Sequence, residues 1–239
     1  MLATLATAGA AATLAAGGYA YAAMWPTSQI FGKAIIGGPD PREFALTYDD
    51  GPNDPYTQEL LDVLARHHVR ATFFLIGRFV RQRPEIARAI HAAGHLVGNH
   101  TMTHPVLLFQ SPKRVREELA GCNAAIEDAL GEAVRYFRPP HGARRPDVLR
   151  AARDLGLTPV LWNAMGYDWK PTTAEQVVEN LQKGIQRNRQ LGVGSNLLLH
   201  DGGQAGIGQD RRHSVIATMR LLESTRGQSI RYVAMDAWG

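Results

Sequence analysis

Short apolar runs and longer stretches of helical spacing take strict turns along this chain, and that alternation limits its fold more than any other feature. Runs at 43–48, 71–76, 95–98, 134–137, 157–161, 196–199 and 230–234 are four to six residues long, several of them β-branched or aromatic, as strands are. Between them, 55–68, 80–93, 112–130, 146–155, 172–188 and 213–226 repeat apolar residues at helical spacing. Ser111 before Pro112, and Thr172 or Thr173 before Glu175, are helix starts, while Gly94, Gly131 and Gly156 stand where helices should stop. Seven strands alternating with six helices predict parallel β/α units, in a doubly wound sheet or a closed barrel.

The 239 residues allow one sizeable domain, expected over 43–239. Residues 1–24 carry no charge and are mostly alanine; they read as an export signal or a membrane anchor, although no basic residue precedes Lys33. A Pro- and Gly-rich stretch, 25–42, reads as a linker or arm. Export or anchoring places the protein in the cell envelope, the periplasm or outside the cell, with a membrane contact through 1–24 if that segment is kept. Cys122 is the only cysteine, so no internal disulfide forms. The net charge of +4 comes with arginines bunched at 78–83 and 138–153, expected to lie on solvated helix faces; no nucleic-acid-binding signature accompanies them. Oligomeric state is not legible in the sequence.

Parallel α/β folds gather function at the carboxyl ends of their strands. Here those ends carry Asp49-Asp50-Gly51-Pro52, "NHTMTHP" (99–105), "RPPHG" (138–142), "WNAMGYDW" (162–169) and His200-Asp201. His100 and His104 are four apart, which would place two imidazoles on one face of a helical turn. His91 and His95 share that spacing, but Gly94 interrupts them and they flank the start of a strand, away from the functional end. Two neutral imidazoles and a carboxylate suit a divalent transition metal, zinc above all, with a position left open for water. One aspartate of the doublet can be the anionic ligand and the other a general base, with Gly51-Pro52 turning the backbone so that both face the site. His200 is the natural acid for a leaving amine.

In order along the chain, "TYDDGP" (47–52), "HTMTH" (100–104), "RPPHG" (138–142), "DW" (168–169) and "LLH" (198–200) resemble the five motifs of polysaccharide deacetylases of the NodB-homology type, carbohydrate esterase family 4. The resemblance implies a distorted (β/α)7 barrel, TIM-barrel-like, and metal-dependent removal of N-acetyl, in some members O-acetyl, groups from sugars. It implies that Asp50, His100 and His104 bind the metal, Zn2+ before Co2+ or Mn2+, and that Asp49 is the base, oriented by Arg138. The backbone of Pro140, His141 and Gly142 would hold the oxyanion, worth about 3 kcal/mol per donor. Trp169 and Leu198 would line a pocket for the acetyl methyl, and His200 would be the acid. His141 replaces the family's usual tyrosine or phenylalanine. Met165 stands where the family places the aspartate that partners the acid histidine, which leaves Asp168 as the nearest substitute or His200 as a weaker acid.

The expected substrate is an acetylated amino-sugar glycan such as peptidoglycan or a chitin oligosaccharide. The alternatives are deacylation (deformylation or deacetylation) of a lipid-linked amino sugar, or a catalytically silent glycan-binding module. GxSxG, HExxH and nucleotide-binding glycine fingerprints are absent. The loop "DGGQAGIGQDRRH" (201–213) is expected to shape the substrate groove.

Overall fold

Strand β1 (Glu43–Gly51) has a central place in a parallel sheet because nearly every side chain along it is buried, as a strand covered on both faces requires. The computed structural model describes residues 16–239. Its other strands are β2 (Thr72–Leu75), β3 (Leu96–Asn99), β4 (Tyr136–Phe137), β5 (Thr158–Pro159), β6 (Ala164–Met165), β7 (Ser195–His200) and β8 (Arg231–Val233). They run in the order β5-β4-β3-β2-β1-β7-β6, with every pairing parallel. β8 pairs with the first residues of β1 and β2 with its last, so both share one edge of it.

Seven of these strands fall on the predicted runs. The eighth, β6, lies inside the stretch taken from sequence as a site loop; two residues of ladder against β7 are too short to leave a periodic signal. The sheet is curled and helix-covered, as expected of the distorted (β/α)7 barrel. Its terminal strands β5 and β6 do not pair with each other. Part of the 25–42 arm fills that opening: Ile35 bridges Val160, and the Gly194 N–H donates to the Gly38 carbonyl at 2.8 Å.

Residues 16–24 are helical (α1), with Ala22 and Ala23 buried; the first fifteen residues of the predicted export or anchor segment lie outside the described residues. Among the described residues, no helix is long and apolar enough to cross a membrane. The remaining helices are α2 (Tyr56–Arg66), α3 (Gly77–Gln82), α4 (Pro84–Ala92), α5 (Pro112–Leu130), α6 (Pro146–Asp154), α7 (Ala174–Gln190) and α8 (Arg212–Thr225). The stretch 80–93, expected as one helix, is two, because Pro84 cannot donate to the preceding turn and instead opens α4. Ser111 and Thr173 cap α5 and α7 by accepting from the N–H groups of Arg114 and Gln176. Gly94, Gly131 and Gly156 all adopt positive φ at the helix ends.

Candidate active site

All the candidate groups come from strand ends on one rim of the sheet. The aspartate doublet poses a local problem, since successive side chains of a strand point to opposite faces. A bulge resolves it. The β1–β2 register slips between Asp49 and Gly51, with Asp50 at φ 71°, so the extra residue re-aims its side chain. This bulge, rather than the Gly51-Pro52 turn expected from sequence, separates the two carboxylates. Gly51 has no substitute there, because a Cβ would run into the Asp201 carboxylate.

The segment after β3 differs from expectation in a similar way. Residues 100–104 form a loop rather than a helical turn, with Thr101 and His104 left-handed at φ 69° and 62°. The loop is fastened from beneath. Asn99 Oδ1 accepts from the Thr101 N–H at 2.7 Å, and the Glu118 carboxylate accepts from the Thr103 N–H and hydroxyl at 2.7 and 2.6 Å. Five of the six described non-glycine residues at positive φ (Asp50, Thr101, His104, His141, Tyr167) belong to loops of this rim, the pattern of strain held at a functional site.

Asp50, His100 and His104 each bring one ligand atom within 4.8 Å of the others. Asp50 Oδ1 is buried without a hydrogen-bond partner among the described residues, at 3.4 and 3.1 Å from Nε2 of His100 and His104. Each imidazole donates through its other nitrogen: His100 Nδ1 to the Arg138 carbonyl at 2.8 Å, His104 Nδ1 to Gln204 Oε1 at 2.7 Å. Both Nε2 lone pairs are thereby left for a cation, so the donor set fits a divalent metal. Burial works against ionisation of Asp50, yet the two imidazoles, when they carry a proton on Nε2 in place of a cation, hold its carboxyl well below the usual range.

Asp49 lies next to His200 across the β1–β7 ladder and belongs to a different network. Arg138 is fully buried and donates to Asp49 Oδ1 at 2.7 Å and to Thr47 Oγ1 at 2.9 Å. Its guanidinium also sits 4.2 Å above the Phe74 ring. With Oδ1 engaged, Asp49 keeps Oδ2 on the His100 side, 3.7 Å from Nε2.

His200 has a carboxylate partner in spite of Met165. Asp168 Oδ1 accepts from His200 Nδ1 at 2.8 Å, while Oδ2 accepts from the His200 N–H and the Ser214 hydroxyl, both at 2.7 Å. Burial disfavours the imidazolium, but this fully buried carboxylate outweighs it and lifts the His200 pKa to about 9. Met165 is a wall residue of the cavity.

Asp49, Asp50, His100, His104 and His200 line a cavity of about 560 Å3 together with His141, Trp162, Met165, Trp169 and Leu198, with Asp168 buried behind His200. Arg138 stands behind Asp49 rather than on that wall, as do Pro140 and Gly142 beside His141. His141 is left-handed at φ 57°, and burial lowers its pKa, so it adds no positive charge. Loop 201–213 contributes Gln204, Ala205, Gln209 and Arg211.

Two sets of residues had no useful signal in the sequence. Met24, Trp25 and Pro26 of the arm join the wall, reached by a chain path that no periodicity describes. The bunched arginines are partly interior: Arg138 and Arg144 are buried on internal acceptors, contrary to the expected solvated faces. His95 is buried at the start of β3 and accepts from the Ala71 N–H, and burial presses its pKa to about 4, so it is built into the structure at the other end of the sheet, while His91 is partly exposed on α4.

Residues 37–160 match the family profile for polysaccharide deacetylase. A chitooligosaccharide deacetylase of Sinorhizobium fredii is 42% identical over 158 residues, covering 66% of this chain and 71% of its own. Among solved structures, a peptidoglycan N-acetylglucosamine deacetylase superposes with a TM-score of 0.77 at 29% identity, over 85% of this chain and 91% of that one. A carbohydrate esterase 4 pseudoenzyme from Bacillus anthracis superposes with a TM-score of 0.74 at 27% identity, over 86% and 68%. Since active enzyme and pseudoenzyme share the architecture, activity must be argued from the residues, but descent is plain: the chain belongs to the polysaccharide deacetylase family.

Proposed function

We propose that this protein is a metal-dependent hydrolase that removes N-acetyl groups from an amino-sugar glycan of the peptidoglycan or chitin-oligosaccharide class. One observation carries the reading. A carboxylate fixed by Arg138 and an imidazole fixed by Asp168 stand on neighbouring strands beside the Asp50–His100–His104 cluster. A silent module has no use for that triple arrangement of base, acid and ligand set.

Zinc is the ion we assign, because two imidazoles and one carboxylate with an open position are its hydrolytic donor set; cobalt or manganese would fit the same atoms. When bound, such an ion supplies Lewis acidity at the acetyl carbonyl and makes water a nucleophile near neutral pH. Asp49 takes the proton from the attacking water at Oδ2, the oxygen that Arg138 leaves free. Of the turn after β4, the His141 N–H is the amide left to meet the oxygen that gains charge, since Pro140 has none and the Gly142 and Ala143 N–H groups donate to the Pro139 and Pro140 carbonyls. Trp169 and Leu198 receive the methyl. His200 gives its Nε2 proton to the departing amine while Asp168 holds Nδ1. Acetate released from N-acetylglucosamine oligomers, and lost on chelation, is the expected result; no acetate from oligomers, peptidoglycan or acetylated xylan would refute it.

The His200–Asp168 pair makes a pH prediction. The acid must be protonated, so activity falls as pH rises through the His200 pKa, about 9 in this environment. Asp168→Asn removes the charge that lifts it. The alkaline limb should then move down toward the ordinary histidine range, near 6.5. A pH–rate profile of kcat checks this, and an unmoved limb would take the acid role from His200.

The charge-free 1–24 segment supports an exported or membrane-anchored protein, consistent with an envelope glycan as substrate. Cell fractionation tests this, and recovery in the cytosolic fraction alone would refute it.

A further inference from the structure

Trp25 has no part in the catalytic groups, yet the residue is 55% exposed and stands on the wall of their cavity, its ring stacked on one side against Tyr21. It also lines a second cavity of about 670 Å3. The two spaces share Trp25, Pro26, Trp162 and Met165, and so adjoin at these side chains. The far part carries Tyr167, 40% exposed, with Asn180 and Lys183. Flat aromatic faces with amide and ammonium groups beside them suit a pyranose ring, whose C–H face packs on an indole while its hydroxyls hydrogen-bond at the edges.

What fixes this exposed tryptophan is itself interior. Arg144 is 1% exposed, and its guanidinium donates to the carbonyls of Trp25 at 2.8 Å, Ser28 at 2.7 Å and Gly142 at 2.9 Å. Its own N–H donates to the Ala23 carbonyl at 3.0 Å. Among the described residues no carboxylate pairs with it. A desolvated cation satisfied by main-chain oxygens of two segments requires both to stay in place. Arg144 therefore clamps the arm onto the loop that presents His141.

We propose, on the deacetylase reading above, that the arm completes a second sugar-binding subsite, in which Trp25 stacks on the residue adjoining the one deacetylated. The substrate is then a linked amino-sugar chain of at least two units, and a lone N-acetylglucosamine fills only the catalytic part of the groove.

The test compares the zinc-loaded enzyme and Trp25→Ala on tetra-N-acetylchitotetraose and on monomeric N-acetylglucosamine. The ratio of kcat/KM for tetramer over monomer should fall about tenfold, the size of one good aromatic contact, chiefly through KM on the tetramer. Trp25→Phe should restore most of it. Equal losses on both sugars, or no loss on either, would overturn the subsite. Calorimetric binding of the tetramer in an Asp49→Asn background reads the same contact without turnover. If the parent enzyme releases no acetate from either sugar, the deacetylase reading fails while this titration still decides the subsite. A Trp25→Ala protein that binds the tetramer normally but loses binding to anionic phospholipid vesicles would make the indole a membrane contact and overturn the proposal.

Discussion

Asp49→Asn is expected to lower kcat for acetate release by about 10²- to 10⁴-fold, the usual contribution of a positioned general base. The substitution preserves shape and an oxygen that can still accept from Arg138, but the amide cannot take a proton from water. It also leaves the Arg138 guanidinium, fully buried, without the one carboxylate that pairs with it among the described residues. Breaking a buried pair from one side costs about 3–5 kcal/mol, so the melting temperature should drop as well. The bound metal separates the two effects. A variant that still takes up one zinc per chain is folded at the site, and its rate loss is then chemical. Activity within tenfold of the parent in such a protein would move the base role elsewhere.

His104→Ala should abolish tight zinc binding, and activity with it. Its Nε2 is one of three candidate ligand atoms, and the remaining two, on Asp50 and His100, are too few for a hydrolytic zinc site. Gln204→Ala gives the graded counterpart. That side chain holds the His104 tautomer from loop 201–213, and loss of such a partner typically lowers metal affinity by about 10- to 100-fold. Competition against a chromophoric chelator measures both. An unchanged affinity in His104→Ala would refute the ligand assignment, while an unchanged affinity in Gln204→Ala would show only that the loop does not tune it. Chelator-treated protein should lose acetate release in parallel and recover it on adding zinc back.

The chemistry of the rim was largely legible because the residues that carry it sit within a few positions of a strand end, where local pattern and function coincide. "TYDDGP", "HTMTH" and the final histidine of "NLLLH" could be read as ligand, base and acid candidates from residue type and place alone. Their local conformations were less legible. A bulge at Asp50 and left-handed turns at Thr101 and His104 are set by the neighbouring strand register and by Asn99 and Glu118 from below, not by spacing along the chain.

The sequence by itself determined the alternating parallel architecture, the edge on which function gathers and the residue types available for metal, base and acid, since hydrophobic period and strand-end position are local properties. Only the tertiary structure decided the partnerships. Asp168 reaches His200 across 32 residues, Arg138 reaches Asp49 across 89, and Arg144 holds Trp25 across 119. Such contacts depend on how a curled sheet brings distant loops onto one rim. No pattern along the chain encodes a distance through space, and for that reason the reading of 25–42 as a linker or arm carries no sign that Trp25 and Pro26 stand on the cavity wall.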